Sequence, residues 1–383
     1  MGLMIIGSLT ASILLCIFTI GVNSSQIPWP PEADYSTQQI DHFAFPPANH
    51  TFLLRFLYKD YRENGIGPIF FYCGNEGSIE SFWNNTGFMF ELAETMHALV
   101  IFAEHVIGYM IPTYLFLPQR YYGQSLPFPD SFSQPYIQYL SIEQALADYA
   151  YLIVELKERF NAVRSPVIAF GGSYGGMLAA YMRLRYPHLV TGALASSAPM
   201  YWVSGLKRFH GFFEAVTRDY QWTDKKCVAL FKAAYDKMEE LVEEQDGLNK
   251  LSRELRLCEP MKNFDDYMWM LKWSRNAFVM MAMMDYPTEA SFMGDLPAYP
   301  VNVSCHAALA AQDPISAIRD AVGVFYNSSH REKCFDYKTQ YIECADITGC
   351  GLGNDSMAWD FQVYSSTCLF SDYYLLSSTR HFG

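Results

Sequence analysis

Short apolar runs alternate with amphipathic segments between residues 67 and 199. Four of these runs end in glycine or small polar residues, which is typical of buried β-strands. Apolar residues recur at helical spacing after Ser141, which forms a capping-box pattern with Gln144. Strands alternating with helices predict a parallel sheet with both faces covered. The predicted strands lie within 67–77, 98–105, 166–170 and 189–199, and the predicted helices span 141–160 and 177–186.

The character of the sequence changes after Pro199. Residues 200–285 are rich in Met, Trp, Lys and Glu and show helical periodicity without strand-like runs. Residues 286–360 are loop-rich and contain four of the nine cysteines. We therefore predict a sheet domain over 26–199 and an inserted, mainly helical, disulfide-containing domain over 200–360.

The first 25 residues are apolar and end in small residues, which is typical of a secretory signal peptide. We expect cleavage between Gly21 and Gln26. The alternative is an uncleaved anchor, since the run approaches the roughly 20 residues that span a bilayer. The absence of Lys or Arg before the run weakens both readings.

Glycosylation sequons and cysteine usage agree with a secretory route. Eight of the nine cysteines lie beyond the first 25 residues, which fits an oxidising compartment. Sequons act as acceptors only in a secretory lumen. They occur at Asn23, Asn49, Asn84, Asn302, Asn327 and Asn354.

Composition and charge exclude several classes of protein. Hydrophobic residues make up 51% and aromatic residues 16% of the chain, which indicates a globular rather than a disordered protein. The formal net charge of −13 argues against binding to nucleic acid or to an anionic membrane surface. No CxxC, HExxH or zinc-like spacing occurs, so we predict disulfides rather than a metal site, and no cofactor.

Ser173 lies between a predicted strand and a predicted helix, in the stretch AFGGSYGGML. Residues 171–175 fit the G-x-S-x-G pattern of a nucleophile elbow, and this strand-to-helix context strengthens an otherwise weak motif. The glycines are expected because side chains flanking so tight a turn would clash. The amide of Tyr174 is expected to face the developing oxyanion, with a second amide from the loop that begins at Gly74.

Several motifs together carry a family resemblance over about Gln38 to Gln362. They are IDHFAF, PIFFYCGNEG, RYYGQSLPF and FGGSYGGMLAAYMRLRYPHLVTGALASSAP. They resemble the lysosomal Pro-Xaa carboxypeptidase and dipeptidyl peptidase II family of serine exopeptidases. The resemblance implies an α/β-hydrolase sheet with a helical cap, acyl-enzyme chemistry at Ser173, an acidic vesicular location and a homodimer.

Three further segments look more like the dipeptidyl peptidase II branch. They are RNAFVMMAMMDYP, GDLPAYPV and TGCGLGNDSMAWDFQ. The main expectation is therefore the release of Xaa-Pro or Xaa-Ala dipeptides from peptides with a free N-terminus. The alternatives are a Pro-Xaa carboxypeptidase and an inactive peptide-binding homologue.

The resemblance also assigns individual residues. Asp360 matches an anchor for the substrate's free amino group, a role that suits a carboxylate because a buried ammonium must be paired; the alternative is a structural Asp. Glu76 either orients the oxyanion loop or is structural, and the adjacent Asp41 and His42 are expected to be a structural pair. The implied disulfides are Cys227–Cys305 and Cys258–Cys334, whereas Cys344 pairs either with Cys350 or with another partner.

Two segments depart from the family pattern. The fourteen residues Val106–Gln119 separate His105 from Arg120, and the tail 361–383 diverges after Gln362. Both the insertion and the divergent sequence begin with Val. Every Val codon begins with GT, which is also the start of an intron, so both segments fit a retained intron. A functional loop is the alternative interpretation of 106–119.

The divergent tail bears on the catalytic partners of Ser173. The chain order of an α/β-hydrolase triad is Ser, acid, His. The family carries the acid and the histidine beyond the WDFQ position, and His381 follows Gln362 too closely to replace them. We therefore expect the chain as written to be an incomplete and inactive isoform.

Overall fold

The computed structural model describes residues 31–46, 50–104, 131–200, 211–342, 357–358 and 361–362, and the backbone of 106–107 and 122–123. Contacts divide them into one unit that contains residues 31–200 with 357–358 and 361–362, and a second unit over 211–342. The predicted signal peptide, most of the insertion and the divergent tail from 363 lie outside the described residues. So do Asn23, Asn49, Asn354, Cys344, Cys350, Asp360 and His381.

Six strands of the first unit form one sheet. They are β1 (Glu32–Gln39), β2 (Thr51–Asp60), β3 (Ile69–Cys73), β4 (Leu99–Ala103), β7 (Val167–Gly172) and β8 (Gly192–Ser196). Their order in the sheet is β1-β2-β4-β3-β7-β8. The four strands β4, β3, β7 and β8 are parallel, as predicted, but β1 and β2 pair antiparallel with each other and β2 pairs antiparallel with β4. The sheet is therefore mixed, which corrects the expectation of a parallel sheet.

Helices cover both faces of this sheet. They are α1 (Ile79–Asn85), α2 (Gly87–Met96), α3 (Ile142–Arg159) and α4 (Ser173–Arg185). Every residue of β3 and β4 is buried, because successive side chains of a central strand point into opposite apolar layers. Phe71 packs into the layer made by α3 and α4, whereas Phe70 packs into the layer made by α1 and α2.

The start of α3 differs in one detail from its prediction. Ser141 is the N-cap and accepts a hydrogen bond from the Gln144 amide, as the sequence suggests. The Gln144 side chain does not complete a capping box; it donates to Asp41 Oδ1 at 2.7 Å and accepts from the His42 amide at 3.0 Å. His42 in turn contacts Asp148 of α3, with Nε2 and Oδ1 2.6 Å apart. Asp41 and His42 therefore anchor the segment after β1 to α3 instead of pairing with each other.

The second unit is helical, and it contains both implied disulfides, Cys227–Cys305 and Cys258–Cys334. Two of its helices lie in the region that was expected to be loop-rich. Each of these begins with proline at its first position, and Asp313 with Ser316 forms a true capping box. The six helices are α5 (Gly211–Thr223), α6 (Lys225–Val242), α7 (Gly247–Glu254), α8 (Phe264–Met283), α9 (Pro300–Ala310) and α10 (Pro314–Tyr326).

Two further features complete the fold. The short strand β5 (Val106–Ile107), at the start of the inserted segment, pairs in parallel with β6 (Tyr122–Gly123), which lies just beyond that segment. None of the helices in the described ranges is both long enough and apolar enough to cross a bilayer. The mixed sheet covered on both faces, with a helical domain inserted in the chain after β8, is an α/β-hydrolase architecture, as expected.

Candidate active site

Ser173 stands at a sharp turn between a strand and a helix. Strand β7 ends at Gly172 and helix α4 begins at Ser173 itself. The serine is exposed and has a φ of 53°, in the left-handed region that non-glycine residues rarely adopt. Such backbone strain persists only where the surroundings enforce it, and it is concentrated at functional sites. The turn therefore has the geometry of a nucleophile elbow.

The glycines of the motif are not equivalent. A Cβ on Gly171 would lie 2.1 Å from the carbonyl oxygen of Gly175, and a Cβ on Gly175 would lie 2.5 Å from Asn75 Oδ1. A Cβ on Gly172 would meet nothing within 4 Å. The two glycines that the motif specifies are thus required by close packing, whereas the intervening Gly172 is not.

The loop after β3 lies against this turn through the buried side chain of Asn75. Asn75 Nδ2 donates to the carbonyl oxygen of Gly172 at 2.7 Å and lies 3.3 Å from Glu76 Oε2. Asn75 Oδ1 accepts from the hydroxyl of Tyr72 at 2.7 Å. The predicted oxyanion loop that begins at Gly74 therefore contacts the residue that immediately precedes the candidate nucleophile.

Glu76 lies in an environment that disfavours its charge. Burial raises the pKa of Glu76, and the hydrogen bonds from its own amide and from Asn75 oppose the rise. The pKa values of Tyr72 and Tyr174 are also raised, first by burial and then by the nearby Glu76 carboxylate. The side chain of Glu76 contacts that of Asn75, and its role as an orienting or a structural residue stays a prediction.

Tyr174, the predicted oxyanion donor, has a side-chain hydrogen-bond partner that the sequence patterns did not indicate. Its amide is in the first turn of α4, where backbone N–H groups have no partner within the helix. Its hydroxyl accepts a hydrogen bond from Gln362 Nε2 at 2.9 Å, and both side chains are buried. Ala358 and Phe361, from the same segment, pack against Ile137 and Leu140 of the first unit.

This placement corrects one expected domain boundary, since the helical domain was predicted to extend to residue 360. Gln362 is the last residue of the motif WDFQ, which spans residues 359–362. Asp360 belongs to the same motif, but its own side chain is outside the described residues.

A charged cluster fixes the helix that follows the oxyanion loop. Arg55, on β2, forms ion pairs with Glu80 in the first turn of α1 and with Glu104 after β4. Burial alone would raise the pKa of Glu80, but the hydrogen bond and charge of Arg55 lower it below its usual value. The segment 74–80 is therefore anchored at one end by Asn75 and at the other by this ion pair.

The described residues do not supply an identified general base for Ser173. His188 is exposed beside Tyr186, and His306 Nδ1 lies 2.8 Å from the carbonyl oxygen of Asn302 on its own helix. No hydrogen bond joins the Ser173 side chain to any histidine or carboxylate of the described ranges.

The three sequons in the described ranges differ in their surroundings. Asn84 and Asn302 are exposed. Asn327 is half-buried, and its side chain makes two hydrogen bonds of 3.0 Å to the backbone of Glu332. A glycan attached to Asn327 Nδ2 would have to be accommodated beside the hydrogen bond that this atom donates to Glu332 O, whereas exposed Asn84 and Asn302 carry no such constraint.

The fold and the turn at Ser173 define the class of the protein, an α/β-hydrolase domain with a nucleophile elbow. The chain belongs to the serine carboxypeptidase S28 family, whose sequence profile matches residues 38–370. This confirms the family that the motifs indicated, and it makes the protein a member of a family of serine peptidases.

Two curated relatives are named lysosomal Pro-X carboxypeptidase. The one from Bos taurus is 39% identical over 360 residues, and the one from Homo sapiens is 37% identical over 363 residues. Each alignment covers 87% of this chain and 69% of the relative. The prolyl carboxy peptidase like protein 5 of Caenorhabditis elegans is 36% identical over 347 residues, with 87% of this chain and 64% of the relative covered. The chain thus spans about two thirds of the length of these relatives.

Proposed function

We propose that Ser173 is the nucleophile of a serine exopeptidase that cleaves peptides next to proline near one end. The observation that carries the proposal is the exposed Ser173 at a φ of 53°, directly after β7 and at the start of α4. Family membership supplies the reaction class, which is peptide-bond cleavage by serine-type acyl transfer.

The proposed chemistry uses the two segments that meet at the elbow. The Ser173 hydroxyl attacks the scissile carbonyl, and its proton passes to a general base that the described residues do not identify. The amide of Tyr174 and an amide of the loop beginning at Gly74 receive the oxyanion. The tetrahedral adduct collapses with cleavage of the scissile C–N bond, and the amine fragment leaves with the proton returned by that base. Water then hydrolyses the acyl-enzyme on Ser173, which releases the carboxylic acid fragment and regenerates the serine hydroxyl.

We further propose that the bond cleaved is the one after a penultimate proline, at the carboxyl end of the peptide. The names of the relatives favour this carboxypeptidase reaction over the dipeptidyl peptidase reaction that the motifs suggested. The second candidate remains the release of N-terminal Xaa-Pro or Xaa-Ala dipeptides, because Asp360 lies in a motif that resembles an amine anchor. The same relatives support a lysosomal location reached through the secretory route.

The two reactions differ in which end of the peptide must be free. A peptide that is acetylated at its amino end and terminates in Pro-Phe reports only carboxypeptidase action. A reporter with a free amine, Xaa-Pro joined to a chromogenic amide, reports only dipeptidyl peptidase action. Because the chain as written is expected to be inactive, the assays use an extended protein, in which the C-terminal region of the Bos taurus relative is joined after Gln362. We expect the extended protein to release phenylalanine from the first peptide at acidic pH and to cleave the second little; the reverse result would favour the dipeptidyl reaction.

The role of Ser173 is tested by labelling with a fluorophosphonate probe. Ser173→Ala should abolish labelling and hydrolysis together. Ser197→Ala is the matched control, because Ser197 is also exposed, follows a strand of the same sheet and has a φ of 49°. Labelling of the extended protein that survives Ser173→Ala, or that is lost equally in Ser197→Ala, would reject the assignment, as would an extended protein with neither labelling nor hydrolysis.

A further inference from the structure

We infer that Asn75 is a positioning residue, whose buried carboxamide holds the oxyanion loop at a fixed distance from the nucleophile. It does so by joining the loop after β3 to the carbonyl group immediately before Ser173. The inference rests on the proposed function of Ser173, and it concerns how the two halves of that site are kept in register.

The hydrogen bonds of Asn75 fix both its position and its orientation. The residue is only 3% exposed. Its Nδ2 donates to Gly172 O, at 2.7 Å, and approaches Glu76 Oε2, at 3.3 Å. Its Oδ1 accepts from the Tyr72 hydroxyl at 2.7 Å. A flipped amide would place Oδ1 against the carbonyl oxygen of Gly172, so these partners allow one orientation.

A link between the oxyanion loop and the nucleophile is needed because the pairing of their two strands ends before either is reached. Strands β3 and β7 are paired from Ile69↔Val167 to Tyr72↔Phe170, and their ladder ends there. The oxyanion loop and Ser173 both lie beyond that point, on separate segments. Reacting groups must be held to within about 0.5 Å of their productive geometry. The side chain of Asn75 crosses this gap between the two segments.

The close contact with the elbow supports the same role. A Cβ on Gly175 would come within 2.5 Å of Asn75 Oδ1 and 2.9 Å of Asn75 Cγ. The carboxamide therefore lies directly on the backbone of the first turn of α4. The absence of a side chain at Gly175 is what lets Asn75 reach the carbonyl group of Gly172.

Replacing the amide by a carboxyl group gives a sharp test. Asn75→Asp keeps the shape and the acceptor for Tyr72, but it puts an ionised oxygen against the carbonyl oxygen of Gly172. The titratable groups that contact this carboxamide are Glu76 and Tyr72. Three more lie close to these residues or to the same loop: Cys73, Tyr149 and Tyr174. When the introduced carboxyl is protonated at lower pH, it again donates a hydrogen bond to Gly172 O.

The experiment measures kcat and KM from pH 4 to pH 7 on the cleaved reporter, for Asn75→Asp, Asn75→Ala and the control Asn85→Asp. Asn85 is an exposed asparagine at the end of α1, so it tests the same chemical change outside the site. At pH 7 we expect kcat to fall by about 10²-fold in both Asn75 variants, with KM changed less than about 3-fold. Asn75→Asp should regain activity toward pH 4, whereas Asn75→Ala should not.

Hydrogen exchange of the amides in 74–78 and 171–176 provides a readout that needs no turnover. Both segments should exchange at least about 10-fold faster in the Asn75 variants at pH 7, while β2 should be unchanged. Unchanged exchange and kcat would overturn the inference, as would equal faster exchange throughout the sheet. The kinetic measurements use the extended protein. If the extended protein cleaved neither reporter, the proposed function would fail, and the exchange measurement would still decide the role of Asn75.

Discussion

Two neighbouring glycines before Ser173 should respond in opposite ways to the same substitution. In Gly171→Ala the new Cβ would lie 2.1 Å from the carbonyl oxygen of Gly175, 2.2 Å from its carbonyl carbon and 2.7 Å from the amide nitrogen of Gly176. All three atoms are backbone atoms in the first turn of α4, so no side-chain rotation relieves the contact. In Gly172→Ala the new Cβ meets nothing within 4 Å, at a φ of −115° that alanine adopts without strain.

The magnitudes follow from these distances. A relaxed carbon–oxygen contact is about 3.3 Å, so the start of α4 must move by roughly 1 Å in Gly171→Ala. Such overpacking costs about 1–3 kcal/mol of unfolding free energy, and a 1 Å displacement of the nucleophile lowers the rate by about 10²-fold. Gly172→Ala should instead stabilise the protein by about 0.4–1 kcal/mol, because it restricts the unfolded chain.

Thermal unfolding followed by circular dichroism measures the stability difference without requiring activity. For a unit of this size, each kcal/mol moves the melting temperature by about 2–4 °C. Gly171→Ala should therefore melt several degrees below the wild type, and Gly172→Ala at or slightly above it. Hydrolysis of the reporter should fall only in Gly171→Ala. Equal losses of stability in the two variants would refute the argument that close packing, rather than the strand-to-helix turn as a whole, requires the motif glycines.

Two further substitutions test other parts of the chain. Gln362→Leu removes the buried hydrogen bond to the Tyr174 hydroxyl, so we expect it to lower the unfolding free energy by about 0.5–1.5 kcal/mol in a denaturant titration; an unchanged midpoint would contradict the contact. Burial and then the nearby Asp285 raise the pKa of Asp219 to about 6, so the folded state binds this proton more tightly than the unfolded chain does. Stability should then fall as the pH rises from about 4 to about 6, and Asp219→Asn should raise the melting temperature at pH 7 but not at pH 4. Equal shifts of the melting temperature at pH 4 and pH 7 would show that the ionisation of Asp219 is not the cause of the change in stability.

Local sequence patterns predicted the elements that carry the elbow. The apolar runs that became β3, β4 and β7 are short and mostly buried, and the glycines around Ser173 permit few other structures. The run that became β8 was also predicted, although only Ser196 of that strand is buried. Strands β1 and β2 were not predicted, because the strongest pattern of apolar runs begins only at residue 67. Their pairing with each other and with β4 depends on contacts between distant segments, which a periodicity does not encode.

The polar contacts beneath the elbow could not be read from the sequence. Asn75 and Gln362 each act through a partner that is far away in the chain, and nothing in the residues around them indicates it. Gln144 shows the same limitation, since its spacing from Ser141 suggested a capping box but its side chain serves Asp41. The cysteine pairs came from family resemblance alone, because spacing does not determine connectivity.

The hydrogen bond between Gln362 and Tyr174 joins residues 188 positions apart, and this separation bears on the order of events during synthesis. A ribosome adds about 5–20 residues per second, so Gln362 is made about 10–40 s after Tyr174. During that interval the sheet and the elbow helix have been translated, and the helical domain with both disulfide pairs is being completed. The hydrogen bond to the Tyr174 hydroxyl therefore cannot form until the whole helical domain has been translated. A nascent chain shorter than 362 residues lacks it, so the surroundings of the oxyanion residue are completed among the last contacts made during synthesis.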